Sequence, residues 1–321
     1  MYSEIERGSE YINRLTEVIR NEYGITATGI TPAKRGYYGE TWRLEASERS
    51  YFVKLDYSSV HKLVYERSFY VMEHLREREI DFISRVVKTS GGELSAKFDG
   101  AVLGVFDWID GENVQNERTK IEEYCMLAKI YAVSGEGRML PREDFSGKSA
   151  DLFFAQLKRL GNSEKNEEKA RILALFEQKS EKIKHRAQRL KLFADRCRGD
   201  KSHFYITHGD AGGNIITSGE NFFIVDWDAP MLAPPERDAW FCLYWSWAGE
   251  AFNRELQRNG IAYELRPERL AYYCYYSFFF YLTEYLETYF DIGGVGGKMI
   301  EALEDYFGCW IEEEIRYADM L

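Results

Sequence analysis

The chain has 321 residues, with 42 basic against 53 acidic side chains, a formal net charge of −11, and 45% hydrophobic and 16% aromatic content. That length sustains two lobes with separate cores, and the acidic balance argues against nucleic acid and anionic membranes as partners. The opening MYSEIERGSE is polar and acidic, far from the roughly 18 apolar residues of a membrane span, so no signal or transit peptide is read there.

Ile12, Leu15, Val18 and Ile19 recur at helical spacing, with Gly24 as the stop. The next stretch alternates and turns at Gly36-Tyr37-Tyr38-Gly39, and strands follow at Trp42–Leu44 and Tyr51–Leu55. A turn with glycines at both ends can cover phosphates or simply join two strands. Lys54 is the one charge in its apolar strand, either a solvated lysine or a functional one. Leu63, Tyr65, Phe69, Met72 and Leu75 mark a helix that carries Glu66 and Glu73. Phe82–Val87 and Leu94–Phe98 read as strands around Ser90-Gly91-Gly92, and Ala101–Ile109 as a strand running into Asp110-Gly111-Glu112.

Lys120 to Tyr131 reads as a helix with Leu127 and Ile130 inward. Residues 150–195 read as two long helices, around Leu152–Leu157 and Ile172–Phe176. Lys182, Lys184, Arg186, Arg189 and Lys191 are expected on a solvated helix face, because Glu177 and Glu181 break up any nucleic-acid patch. Trp240–Trp245 is read as a buried helix. Residues 269–290, RLAYYCYYSFFFYLTEYLETYF, are apolar nearly all round; Glu284, Glu287 and the tyrosines mark them as a core helix and not a membrane span. Gly293-Gly294-Val295-Gly296-Gly297 reads as a flexible joint, and Met299 to Tyr317 as a final acidic helix. Cys125, Cys197, Cys242, Cys274 and Cys309 are odd in number and lack CxxC spacing, which predicts reduced thiols, no zinc site and a cytoplasmic setting.

The most informative stretch is Phe204 to Trp240, FYITHGDAGGNIITSGENFFIVDWDAPMLAPPERDAW. A short apolar run ends in Thr207-His208-Gly209-Asp210; Asn214 follows, then Ile215-Ile216, a turn at Ser218–Asn221 and a second run, Phe222–Val225, that delivers Asp226. Two β-type runs joined by a Ser/Gly/Asn turn make a hairpin. Asp210, Asn214 and Asp226 then converge on one mouth, a hard-oxygen set suited to Mg²⁺ when phosphates complete its shell. Asp228, two residues past Asp226, is expected on the opposite face.

His208-Gly209-Asp210 with Asn214, then Asp226, resembles the catalytic and metal loops of protein-kinase-like phosphotransferases of the aminoglycoside phosphotransferase family. The run Ile224 to Asp238 is similar to the spectinomycin phosphotransferase branch. The resemblance implies an α+β, protein-kinase-like two-lobe fold: a small β-rich N-lobe with one key helix (1–106), a larger mainly helical C-lobe (107–321), and a hinge at about 106–110. It implies ATP and Mg²⁺, Asp210 as the catalytic residue, and Asn214 and Asp226 as metal ligands, with Asp228 as an acceptor or second metal contact. Lys54, Glu66, Gly36, Gly39, Phe106, Trp108 and Ile109 would hold the nucleotide, with Glu73 the rival of Glu66 for the lysine. His208 would prop the loop by hydrogen bonds, and Asp238 would brace it.

Two departures stand out. Three residues, Ala211, Gly212 and Gly213, separate Asp210 from Asn214 where the family usually has four, and paired glycines are expected to close the tighter loop through φ/ψ values denied to other residues. Tyr131 stands where the family usually has a histidine. The expected partners are ATP and a cationic small-molecule acceptor of aminoglycoside or aminocyclitol type, bound by a monomer or homodimer. A kinase of a choline-like amine or amino-sugar, and a kinase-shaped binding protein without turnover, remain the alternatives.

Overall fold

The computed structural model describes residues 7–33, 39–57, 62–135, 140–164, 166–243, 246–291, 298–308 and 310–321. The turn with Gly36, the glycines at 293–297 and Cys309 lie outside them. Packing divides the chain into two compact units, Met1–Pro141 with Tyr205–Leu232, and Arg142–Phe204 with Ala233–Leu321.

The first unit opens with α1 (Ser9–Tyr23), which ends where Gly24 takes a φ of 68° and its N–H caps the Arg20 carbonyl. Strands β1 (Gly29–Pro32), β2 (Glu40–Glu45), β3 (Ser50–Asp56), β4 (Ala96–Phe98) and β5 (Ala101–Asp107) form an antiparallel sheet in the order β1-β2-β3-β5-β4. The period of two sends Val53 and Leu55 into a core with Leu15 and Ile19 of α1, and turns Lys54 to the opposite face. There Lys54 lies between Thr41 and Gly104 in register. A Cβ on Gly104 would stand 2.7 Å from the Phe69 ring, so this glycine lets α2 (Lys62–Arg76) lie on the sheet beside Lys54. Phe82–Val87 is not a ladder strand. Among the described residues it makes isolated bridges, Ile83 to Ile224 and Val86 to Phe106, because β4 already occupies part of the β5 edge.

Helix α3 (Glu117–Val133) starts at a capping box between Asn116 and Thr119. Short strands follow in this unit, among them β6 (Tyr205–Thr207) and the hairpin of β7 (Ile215–Ser218) and β8 (Asn221–Ile224). Tyr131 is 2% exposed and stacks on Tyr205 with ring centroids 5.4 Å apart, so at this position an aromatic ring pins α3 to β6.

The second unit is helical: α4 (Lys148–Asn162), α5 (Glu167–Gln178), α6 (Ser180–Cys197), α7 (Glu236–Ala239), α8 (Ser246–Arg258), α9 (Pro267–Asp291), α10 (Lys298–Gly308) and α11 (Trp310–Asp319). Two expectations are corrected. Residues 150–195 hold three helices, because Asn166 caps a new start at α5 and Lys179 leaves the helical region between α5 and α6. Trp240–Leu243 is a 3₁₀ turn. The final acidic segment is helical over α10 and α11, on either side of position 309, which lies outside the described residues.

Helix α9 is the core of this unit, with Ala271, Tyr275, Phe278, Phe279 and Leu282 fully buried. Its tyrosines are not a misfit there, since each of three buried hydroxyls has a partner. Tyr272 donates to the Ser146 carbonyl at 3.0 Å, Tyr273 to Glu143 at 2.8 Å, and Tyr275 to Asp319. No helix among the described residues is long and apolar enough to cross a membrane.

The basic face of α6 is only partly solvated, which corrects the expectation. Arg186 is 3% exposed, lies over the Phe278 ring at 4.4 Å, and makes a bidentate pair with Glu312 at 2.7 and 2.6 Å; Lys182 joins the same carboxylate. Burial pushes the Glu312 carboxyl up, yet Arg186 and Lys182 outweigh it and hold it below its usual value of 4.5. A depressed carboxyl adds stability above its unfolded pKa and loses it as pH falls through the folded value. Arg186→Met is therefore predicted to cost about 2–3 kcal/mol at neutral pH, with the gap to the unmodified protein closing below about pH 4. Urea unfolding at several pH values measures this; equal stability at pH 7 would show that the pair contributes nothing.

Candidate active site

Lys54 is 4% exposed, and its ammonium donates to Asp226 Oδ1 at 2.7 Å and to Asp228 Oδ2. It also lies 5.4 Å from the Tyr65 ring centroid. Burial alone would push the lysine down, but the two carboxylates outweigh it and raise its pKa. Asp226 shows the converse: burial favours its neutral form, and Lys54 holds the carboxyl below the usual range.

Asp228 was expected on the opposite face, and the structure corrects this: residues two apart share a face even on an extended strand, and here a tight turn brings the two carboxylates together. Asp226 has a φ of 63°, in the left-handed region that a non-glycine residue seldom takes. The Asp228 N–H then reaches the Asp226 carbonyl at 2.9 Å, and the tight turn folds both carboxylates onto one ammonium. Such strain persists where its surroundings over-determine it. Trp227, between the two, is 2% exposed, donates to the Ile224 carbonyl at 3.2 Å and packs edge-on against His208 at 4.7 Å.

His208 is 2% exposed and uses both ring nitrogens. Its Nδ1 accepts from the Asp210 N–H at 3.2 Å, which makes Nε2 the protonated nitrogen, donating to the Val225 carbonyl at 2.9 Å. This is a brace between the loop and the end of β8, with no nitrogen left for a proton-abstracting role. A further strut is the Val225 N–H bond to the Asn214 carbonyl at 3.0 Å.

Asp210 is exposed, and Ala211–Gly213 form one 3₁₀ turn that returns Asn214 to it. Asn214 Nδ2 donates to the Asp210 carbonyl at 2.7 Å and to its carboxylate at 3.3 Å. Neither Gly212 nor Gly213 takes a left-handed φ, so the short loop does not close in the way expected. What Gly212 supplies is room, since a Cβ there would stand 2.7 Å from Lys120 Nζ. The loop is also tied from the segment after β5. Glu112 and Thr217 exchange backbone bonds at 3.0 and 2.8 Å, and Asn113, its amide oriented by Gln115 at 2.7 Å, donates to the Gly213 carbonyl.

The remaining candidates are more dispersed. Glu66 is half-buried on α2 and makes no ion pair with Lys54 among the described residues, while Glu73 pairs with Lys88. Gly39 has a φ of 78°, and a Cβ on it would fall 1.8 Å from the Leu55 carbonyl, so only glycine fits at the root of this turn. The next residue, Glu40, is 4% exposed and is held by Arg7 and, at 2.8 Å, by Tyr11. Phe106 is buried at the end of β5; Trp108 and Ile109 are half-buried beyond it, with the Trp108 N–H on the Ser50 carbonyl at 3.3 Å. Asp238 is buried in the second unit. Lys120, Asn113 and Glu40 escaped the sequence reading. The one sequence signal toward Lys120 was the missing side chain at Gly212.

A small antiparallel sheet holding a lysine, followed by an aspartate–asparagine loop and a hairpin ending in aspartate, with the remaining helices, defines a protein-kinase-like phosphotransferase fold. Residues 29–273 match the phosphotransferase enzyme family, and the chain belongs to that family of small-molecule kinases. Among solved structures it is similar to spectinomycin phosphotransferase APH(9)-Ia in complex with ADP and spectinomycin, with a TM-score of 0.76, 20% identity, and coverage of 96% of this chain and 98% of that one. Amicoumacin kinase hAmiN, in complex with AMP-PNP, Ca²⁺ and Ami, gives 0.61 at 14% identity, covering 98% and 96%. Choline kinase LicA from Streptococcus pneumoniae gives 0.61 at 14%, covering 98% and 100%. No curated protein matches the chain.

Proposed function

We propose that the chain is an ATP-dependent O-phosphotransferase that moves the γ-phosphate to a hydroxyl of an aminoglycoside- or aminocyclitol-type molecule. The observation that carries this is the convergence of Lys54, Asp226 and Asp228 on a hairpin tied to the Asp210–Asn214 loop. In this reading residues 1–106 hold the nucleotide. Its adenine edge lies along the backbone of Phe106, Trp108 and Ile109, and its phosphates lie between the turn with Gly36 and Gly39 and Lys54. Residues 107–321 then form the catalytic and acceptor lobe.

The acceptor oxygen bonds to the γ-phosphorus as the bond to the β–γ bridging oxygen breaks, ADP leaves, and the hydroxyl proton passes to Asp210. Asp210 fits this task because its carboxylate is exposed and is oriented by the Asn214 amide. Asn214 uses its nitrogen on Asp210, which leaves its oxygen for a metal. Asp226 is held ionised, and its side chain is 39% exposed. The pair fits Mg²⁺, which takes one or two protein oxygens when phosphates and water complete its shell, and which when bound would neutralise phosphate charge. Lys54, relieved of Asp226, would reach the phosphates and Glu66.

The proposed acceptor is a cation, a reading supported by the net charge of −11 and by the spectinomycin-bound relative. Charge-assisted hydrogen bonds at about 1.5–3 kcal/mol each would hold its amines. Spectinomycin, other aminoglycosides, choline and neutral sugars are to be compared by ADP release at low and moderate salt. Amines are expected to win, their KM rising about threefold with salt while that for ATP rises less. Preference for choline would select the metabolite-kinase alternative, and use of a neutral sugar without salt dependence would overturn the cationic acceptor. Nucleotide binding with no turnover of any acceptor would leave a binding protein.

A further inference from the structure

We propose that Lys120 is a positioning residue of the phosphotransfer loop, its ammonium filling from α3 the space that Gly212 leaves between Asp210 and Asn214. The inference rests on the reading of that loop as the catalytic one. The ammonium stands where residue 212 would otherwise place a side chain, 2.7 Å from the position of a Cβ, and the Glu123 carboxylate oxygens lie 3.7 and 3.8 Å from the same point. Lys120 donates to Glu123 Oε2 at 2.9 Å, and the two side chains are only 15% and 1% exposed.

A lysine and a glutamate so paired are neutral as a unit. Their effect on the loop is therefore one of shape and not of attraction for phosphate. The loop needs such support. Its turn spans three residues and is closed by the Asn214 N–H on the Ala211 carbonyl at 2.9 Å. Two of those three residues are glycines, which have the most backbone freedom to lose. A short loop without side chains gains its stiffness from what is pressed against it. Here that is Lys120 on Gly212 and Asn113 on the Gly213 carbonyl.

The test is a double-mutant cycle on Lys120→Ala and Gly212→Ala, read as kcat and KM for ATP with spectinomycin, and with water as acceptor where spectinomycin is not used. Lys120→Ala is expected to lower kcat about 10- to 100-fold, as misplacement of a reacting group by an ångström does, with KM for ATP within about threefold, measured well below a thermal midpoint that falls because the buried Glu123 carboxylate loses this partner. Gly212→Ala is expected to lower kcat about tenfold alone, because its methyl displaces the ammonium, and by less than twofold in the Lys120→Ala background. A residue that merely stabilised α3 would not produce that coupling. Additive effects, or a kcat for Lys120→Ala within twofold of the unmodified protein, would overturn the proposal. Asp210→Asn is measured in parallel. If it keeps its activity, the reading of the loop fails; if it loses activity while Lys120→Ala keeps it, only this inference fails.

Discussion

Asp210→Asn is expected to lower kcat by ~10²–10⁴-fold, the usual contribution of a positioned acid–base group. The replacement has the same shape. Its side-chain oxygen still accepts from Asn214, and its backbone N–H still meets His208 Nδ1, so the loop keeps its struts. Only the affinity for a proton is lost. Nucleotide affinity and the unfolding midpoint should therefore stay near those of the unmodified protein while turnover collapses. Steady-state ADP release and nucleotide titration give the comparison, and a loss of less than tenfold would remove Asp210 from this role.

Asp226→Ala should cost magnesium affinity and turnover together, with kcat down ~10²–10³-fold, because a carboxylate ligand disappears and phosphate charge goes uncompensated. The fold is expected to survive, since Lys54 retains Asp228 as its partner and no charge is left alone in the interior. A magnesium titration of the variant is decisive. A rightward shift of tenfold or more supports the assignment, whereas an unchanged metal requirement would transfer the ligand role to Asp228.

Much of the first unit was readable because its signals are local. The alternation around Lys54, the helical spacing of Leu15 and Ile19, and the turn between Ile216 and Phe222 each specify their element within a few residues. The site was readable as a set of residue types but not as a shape. Nothing in the sequence announces the left-handed φ at Asp226 or the tight turn in which both carboxylates meet Lys54. Long-range partners were equally hidden. The burial of Arg186 depends on Glu312, 126 positions along the chain, and the fit of Gly212 depends on an ammonium from α3. Periodicity reports which face of an element is apolar, and an arginine stacked on Phe278 looks the same in a sequence as one in water.

The hydroxyls of α9 carry a consequence for uniqueness. A helix of phenylalanines in their place would bury as much apolar surface, yet dispersion and water exclusion discriminate weakly between rotations of such a cylinder about its axis. Tyr272 and Tyr273 reach the segment before α4, and Tyr275 reaches the end of α11, so the helix is keyed on two sides. Turning it by one residue would break all three bonds and leave buried donors and acceptors stranded, at about 1–3 kcal/mol for each. The tyrosines thus act as an address written in hydrogen bonds, selecting one packing from many that are nearly as dry.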